Sequence, residues 1–228
     1  MLELNAGTGD DAVFFVQHGR HVHATDLAEG MISVIAHKQN QLPADAHLGN
    51  LSFQQLSFTQ LDQIHPAQRP AQGYDLVFSN FGGLNCHPDL SAITRHLPAL
   101  LRRDGYVVWV IMPPICPWEL AQAARGQFKT AFRRLHASRS TLAHVEGAYF
   151  HTHYFSPKQV MQALGPQFSL RQLQSIGLFS PPSFLEAFPR RLPRLFHWLC
   201  RQDENVGRSW PFNRMGDYVM LTAQYTHV

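Results

Sequence analysis

Charge is scarce in this 228-residue chain. Asp, Glu, Lys and Arg make up 15% of it and leave a formal net charge of +3. That is too little for the concentrated basic stripe that holds nucleic acid. Cysteine is scarcer still. Cys86, Cys116 and Cys200 are odd in number, scattered and without metal-type spacing. This argues against a disulfide framework and suits reduced thiols. No apolar run is long enough to span a bilayer, and no basic-then-apolar leader opens the sequence. These absences read as a soluble, cytoplasmic protein with neither membrane nor nucleic acid as partner. What is abundant is ordinary. Hydrophobic residues make up 45%, and the length suits one α/β domain with an insertion. Fourteen histidines add positive charge only below about pH 6.5.

The informative stretch is residues 1–11. Leu2-Glu3-Leu4 reads as the end of a buried strand, Asn5 to Gly9 as a small-residue turn, and Asp10 to His18 as a helix with Ala12, Val13 and Val16 inward. A strand that turns through glycines into a helix gathers backbone N–H groups and the positive helix end at one point. Without further signals the same pattern is an ordinary connection. Asp26 is such a signal, because it closes the next strand, His21 to Thr25, where a carboxylate takes both hydroxyls of a ribose. Gly7 to Ala12 formally satisfies G-x-G-x-x-A, yet Asp10 and Asp11 stand where a pyrophosphate would sit. Like charges there are costly, so a cationic or zwitterionic ligand with a ribose fits better.

Glu3-Leu4-Asn5-Ala6-Gly7-Thr8-Gly9 resembles the glycine-rich first motif of class I S-adenosylmethionine-dependent methyltransferases of the small-molecule type. Asn5 stands where the first glycine is normal, a departure in turn geometry more than in ligand identity. The resemblance runs from Leu2 to Tyr225 and is specific in its first half. It implies S-adenosyl-L-methionine as cofactor, with Asp26 on the ribose, Leu27 beside it and Met31 near the adenine. After the third strand, Leu51 to Phe58, the family often places an acid. Here Ser57 and Phe58 fill that place. The fourth strand, Tyr74 to Ser79, delivers Asn80, Phe81, Gly82, Gly83 and Asn85, a segment that in the family passes beside the reactive methyl group. Members commonly carry upstream helices that cover the cofactor. Here the first strand begins at Leu2, so either another element is the cover or an amino-terminal cap is missing.

The remaining pattern is a helix from Pro88 to Arg103, a buried strand from Tyr106 to Met112, then a change. Residues 113–155 read as an insertion, helical and basic from Glu119 to Leu135, with Arg125, Lys129, Arg133 and Arg134 as a solvated face. The family grows its substrate cover here, and Trp118, Tyr149, Tyr154 and Asn85 are the acceptor-side candidates. His151 is the candidate general base. It shares a strand face with His153, but no third ligand is spaced for a metal. Tyr154-Phe-Ser-Pro157 resembles the family's return from cover to sheet, with Ser156 and Pro157 opening a helix to Leu164. Strands Phe168 to Ile176 and Tyr218 to Tyr225 follow, separated by an apolar stretch, Ser180 to Trp210, that finishes the pocket wall or forms a homodimer face. The expected fold is α/β: a doubly wound, mostly parallel seven-stranded sheet of the Rossmann-like methyltransferase type, as one domain over 1–228, with an antiparallel last strand and a helical insertion.

Methyl transfer is an in-line displacement in which a protein mainly positions the reactants and excludes water. No nucleophile triad is needed and none is evident. The resulting expectation is a transferase acting on a small, apolar or aromatic acceptor, with oxygen, nitrogen and carbon acceptors all open. Three rivals stand beside it. RNA or protein methylation lacks a basic groove and an Asn-Pro-Pro-aromatic box. A non-catalytic S-adenosylmethionine-binding module fits Asn5 and the missing cover. A nicotinamide oxidoreductase is disfavoured by Asp10 and Asp11.

Overall fold

The computed structural model describes residues 1–43, 47–135, 141–145, 148–182, 185 and 187–226. Alternation of apolar strand and amphipathic helix builds its first half. Strand β1 (Leu2–Leu4) is buried throughout and leads into helix α1 (Asp10–Gln17), which buries Ala12 and Val16. Strand β2 (Val22–Asp26), helix α2 (Glu29–Gln41), strand β3 (Leu51–Gln55) and strand β4 (Tyr74–Ser79) repeat the unit. Short helices α3 (Ser91–Thr94) and α4 (Leu97–Leu100) precede strand β5 (Leu101–Ile111).

After β5 come helices α5 (Pro117–Leu120) and α6 (Phe128–Phe132), then a hairpin of strands β6 (Thr141–Val145) and β7 (Ala148–Thr152). Helix α7 (Pro157–Leu164) and strand β8 (Phe168–Ile176) return the chain to the sheet. Helices α8 (Ala187–Arg191) and α9 (Pro193–Val206) lead to the last strand, β9 (Tyr218–Tyr225).

The sheet has seven strands in the order β3-β2-β1-β4-β5-β9-β8. Strand β9 is antiparallel to both neighbours, and the other pairings are parallel. This is the expected doubly wound sheet. The order reverses between β1 and β4, and the crevice at such a switch point is where open α/β sheets bind ligands. Because β9 runs backwards, its first residue lies at the same sheet edge as the carboxyl ends of β1, β4 and β5.

Register decides what each face holds. Leu2 and Leu4 join the larger core with Trp109, Ile111 and Leu221, whereas Val22, Ala24, Ile35 and Leu51 form the smaller one. Glu3 pairs with Ala24, so its carboxyl group faces the smaller core, beneath α1 and α2.

Four local expectations are corrected. The helix over Pro88 to Arg103 is two single turns, since Pro98 offers no N–H and its ring obstructs the preceding turn. Leu101 already pairs with Tyr74, while Leu76 pairs with Tyr106, so Arg102 to Gly105 bulge out through Asp104 at φ 61°. The expected helix from Glu119 to Leu135 is broken at Gly126, φ 75°. Strand β3 ends at Gln55, so Ser57 and Phe58 belong to the turn that follows.

Helix α7 carries a capping box. The Gln159 N–H donates to Ser156 Oγ at 3.3 Å, and the Ser156 N–H donates to Gln159 Oε1 at 2.8 Å. Ser156→Ala should lower stability by about 1 kcal/mol in urea denaturation; an unchanged midpoint contradicts the cap's role.

Candidate functional site

The turn after β1 is held in shape by Asp26. Its Oδ2 accepts from the Gly7 N–H and its Oδ1 from the Ala28 N–H, each at 2.9 Å. One carboxylate thus ties the glycine turn to the start of α2 while each oxygen keeps a further lone pair. Asn5, Gly7 and Gly9 have φ of 54°, 55° and 76°. Asn5 therefore adopts the left-handed conformation that glycine supplies, which asparagine tolerates better than most residues. The expected change of turn geometry at Asn5 is thus accommodated. A Cβ at Gly7 would meet nothing within 4 Å, so space is open above the turn, whereas one at Gly9 would lie 2.8 Å from Ile35.

The turn after β4 meets the first. A Cβ on Gly83 would fall 2.6 Å from that of Asn5, so only glycine permits this approach. Asn80 Nδ2 donates to Asp11 Oδ2 at 2.8 Å, and Asn80 Oδ1 accepts the Phe81 N–H at 2.9 Å. Phe81 and Gly82 both take positive φ, 47° and 72°. They leave the Phe81 ring 67% exposed and edge-on to Tyr218 at 5.8 Å.

Acidic groups dominate the floor. Glu3 is buried, its Oε2 has no partner, and burial together with Asp11 and Asp26 pushes its carboxyl group up to about 8. Asn5 Oδ1 is likewise buried and unpartnered. These orphaned acceptors and the Asp11 and Asp26 carboxylates fit a group carrying positive charge. Asp10 is different. Hydrogen bonds from Lys38 and Thr8 hold it below the ordinary carboxylate range, with Lys38 Nζ at 2.6 Å, so its charge is already answered.

Around this centre, Leu27 is 65% exposed and Ala6, Met31, Ser57 and Phe58 are half-buried. Gln55 Nε2 donates to Leu27 O at 3.0 Å, Ser57 Oγ accepts the Thr59 N–H, and the Phe58 ring stands edge-on to His87 at 6.0 Å. Thr8 is exposed, its hydroxyl given to Asp10. Trp118 is half-buried, with Nε1 donating to Phe179 O at 3.2 Å. His151 is exposed near the end of β7, close enough to His153 that the pair, with His87, helps burial lower the His153 imidazole. The side chain of Tyr149 lies outside the described residues; its backbone pairs with His144 in the hairpin.

Two acceptor-side expectations are corrected. Asn85 is fully buried, and its Nδ2 donates to Met112 O and His153 O while its Oδ1 accepts from the Met112 N–H. No donor is left for a ligand, so Asn85 braces the ends of β4, β5 and β7. Tyr154 is also buried, with the Arg134 guanidinium 5.3 Å above its ring.

The charge run in the sequence places Arg134 on a solvated face. It is instead buried, bound to Glu119 at 2.7 Å and to Asp217 at 2.7 Å, with Arg133 on the same Glu119. Burial alone would raise the Glu119 carboxyl; the two guanidinium groups outweigh it and hold it low. Cys116, Glu119 and Asp217 have metal-like spacing, but Arg134 already bonds both carboxylates. Neither this cluster nor Tyr218 was visible as a pattern, because their partners lie 83 residues apart (Arg134 and Asp217) or meet only through packing.

Glu3 has a higher pKa folded than unfolded. Between the ordinary value of 4.5 and about 8 the folded state keeps a proton that the unfolded state releases, so stability falls as pH rises. The slope approaches about 1.4 kcal/mol per pH unit. Glu3→Gln should remove that fall, gaining on the parent in urea midpoint between about pH 5 and pH 8; parallel pH profiles contradict the assignment.

Residues 1–105 match the family model described as a methyltransferase domain. No curated protein sequence matches the chain. Solved structures share its fold across nearly its full length. A methyltransferase from Methanosarcina mazei is 16% identical with a TM-score of 0.65, covering 100% of this chain and 92% of its own. One from Mesorhizobium loti is 15% identical with a TM-score of 0.55, covering 98% and 89%. The 1,6-didemethyltoxoflavin-N1-methyltransferase of Burkholderia thailandensis, solved with bound 1,6-didemethyltoxoflavin and S-adenosylhomocysteine, is 17% identical with a TM-score of 0.52, covering 99% and 70%. The first 105 residues thus match a methyltransferase domain, and the chain as a whole has the fold of S-adenosylmethionine-dependent methyltransferases.

Proposed function

We propose that the chain methylates a small-molecule acceptor of apolar or aromatic character. The observation that carries this reading is a pocket of about 590 Å³ walled by Trp118, Phe188, Leu185 and Leu192. It is built from the segments that follow the carboxyl ends of β5 and β8, and a volume of this order is usual for small-molecule sites. The toxoflavin-type relative, whose acceptor is small, has the same fold.

In this reading the backbone of Ala6, Gly7, Thr8 and Gly9 lies against the cofactor, and Asp26 turns its remaining lone pairs to the ribose hydroxyls. Leu27, Met31, Ser57 and Phe58 flank the adenine. Glu3 and Asn5, with their unpartnered oxygens, serve the cationic end, and Asn80, Phe81 and Gly82 border the reacting centre. S-adenosylmethionine, when bound, supplies an activated methyl group for in-line displacement. The chain's part is to align the acceptor and keep water out. Residues 113–155 act as the cover, pinned to the sheet by Arg134 between Glu119 and Asp217. His151 is the proposed proton acceptor, on a hairpin whose end is tied to the β4 turn by the His153 N–H donating to Asn85 O at 2.7 Å.

Asp26→Ala should weaken S-adenosylhomocysteine binding by about 1.5–3 kcal/mol; unchanged affinity in a folded variant contradicts the ribose assignment. His151→Ala should leave that affinity intact and slow turnover by about 10²-fold; full turnover removes it as the base. The acceptor class is read by incubation with methyl-tritiated S-adenosylmethionine and a fractionated cell extract. Label is expected in the small, organic-extractable fraction, and label confined to RNA or protein overturns the reading.

A further inference from the structure

The wall of the pocket beside Trp118 and Phe188 combines apolar residues with two arginines. In its apolar part Trp118 donates through its Nε1 to Phe179 O and stands edge-on to Phe188, centroids 6.2 Å apart. Two guanidinium groups line the same pocket, Arg125 from the turn before Gly126 and Arg191 from the end of α8. Among the described residues no carboxylate lines it, and neither arginine has an ion-pair or hydrogen-bond partner. The contrast with Arg133 and Arg134, both bound to Glu119, is direct. Arginine is the side chain best suited to fork onto a carboxylate, and here two of them share a pocket with an aromatic wall.

We propose that this pocket takes an amphipathic carboxylic acid, its aromatic or branched apolar body against Trp118 and Phe188 and its carboxylate held by Arg125 and Arg191. The identification of this molecule as the methyl acceptor rests on the function proposed above; the charge selectivity of the pocket does not.

The test is equilibrium dialysis of the full chain, saturated with S-adenosylhomocysteine, against 2-naphthoate and its neutral isostere 2-naphthamide. Naphthoate should bind about tenfold more tightly, the worth of one charge-assisted contact at a partly exposed site. The double variant Arg125→Gln/Arg191→Gln should erase the preference while leaving naphthamide binding and S-adenosylhomocysteine affinity unchanged. Trp118→Ala should weaken both probes alike. Equal binding of the two probes, a preference that survives the double variant, or binding of neither overturns the proposal. If the preference follows the arginines yet no small molecule ever receives label, the anion site stands and the acceptor reading falls.

Discussion

The grip of one carboxylate on two backbone N–H groups organises the site. By accepting from Gly7 and Ala28 at once, Asp26 fixes where the glycine turn ends and where α2 begins. The left-handed conformations at Asn5, Gly7 and Gly9 follow from the sharpness of that turn. The approach of Gly83 to Asn5 then places the β4 turn beside it, at the point where the strand order reverses. Apart from Glu3 on β1 and Ser57 and Phe58 on the turn after β3, the residues proposed for the cofactor stand on these two turns or between the end of β2 and the first turns of α2.

Charge gives the site its direction. A protein seldom buries a carboxyl group without a partner, since the cost is several kcal/mol unless the group neutralises. Glu3 does so, and Asp11 and Asp26 nearby hold it in that state. A ligand bringing positive charge relieves all three acids together, whereas a diphosphate aggravates them. In the sequence Asp10 and Asp11 stand as equivalent acids at the start of α1. In the folded chain Asp10 is paired with Lys38, whereas Glu3 is buried with Oε2 unpartnered.

Much of this was legible in the chain because it is local. Glycine spacing, the acid closing β2, and the apolar alternation of β4, β8 and β9 are short-range patterns, and those three strands have the expected bounds. What escaped is non-local or depends on burial. A run of arginines reads as a solvated face until Glu119 and Asp217 are brought to Arg134. Asn85 reads as a ligand contact until its amide is spent on Met112 and His153. Strand β7 falls within a stretch that reads as extended, whereas its partner β6 is set only by cross-strand pairing, and Pro98 split a helix whose apolar face was otherwise continuous.

The turn held by Asp26 suits the zwitterionic nucleoside proposed for it better than a diphosphate. Calorimetric titration of the intact chain with S-adenosylhomocysteine, with NAD as the control ligand, tests it most directly. Saturable binding of the first at roughly micromolar Kd, about −8 kcal/mol, with no heat from the second, is the predicted result. Binding of NAD, or of neither ligand, would contradict it.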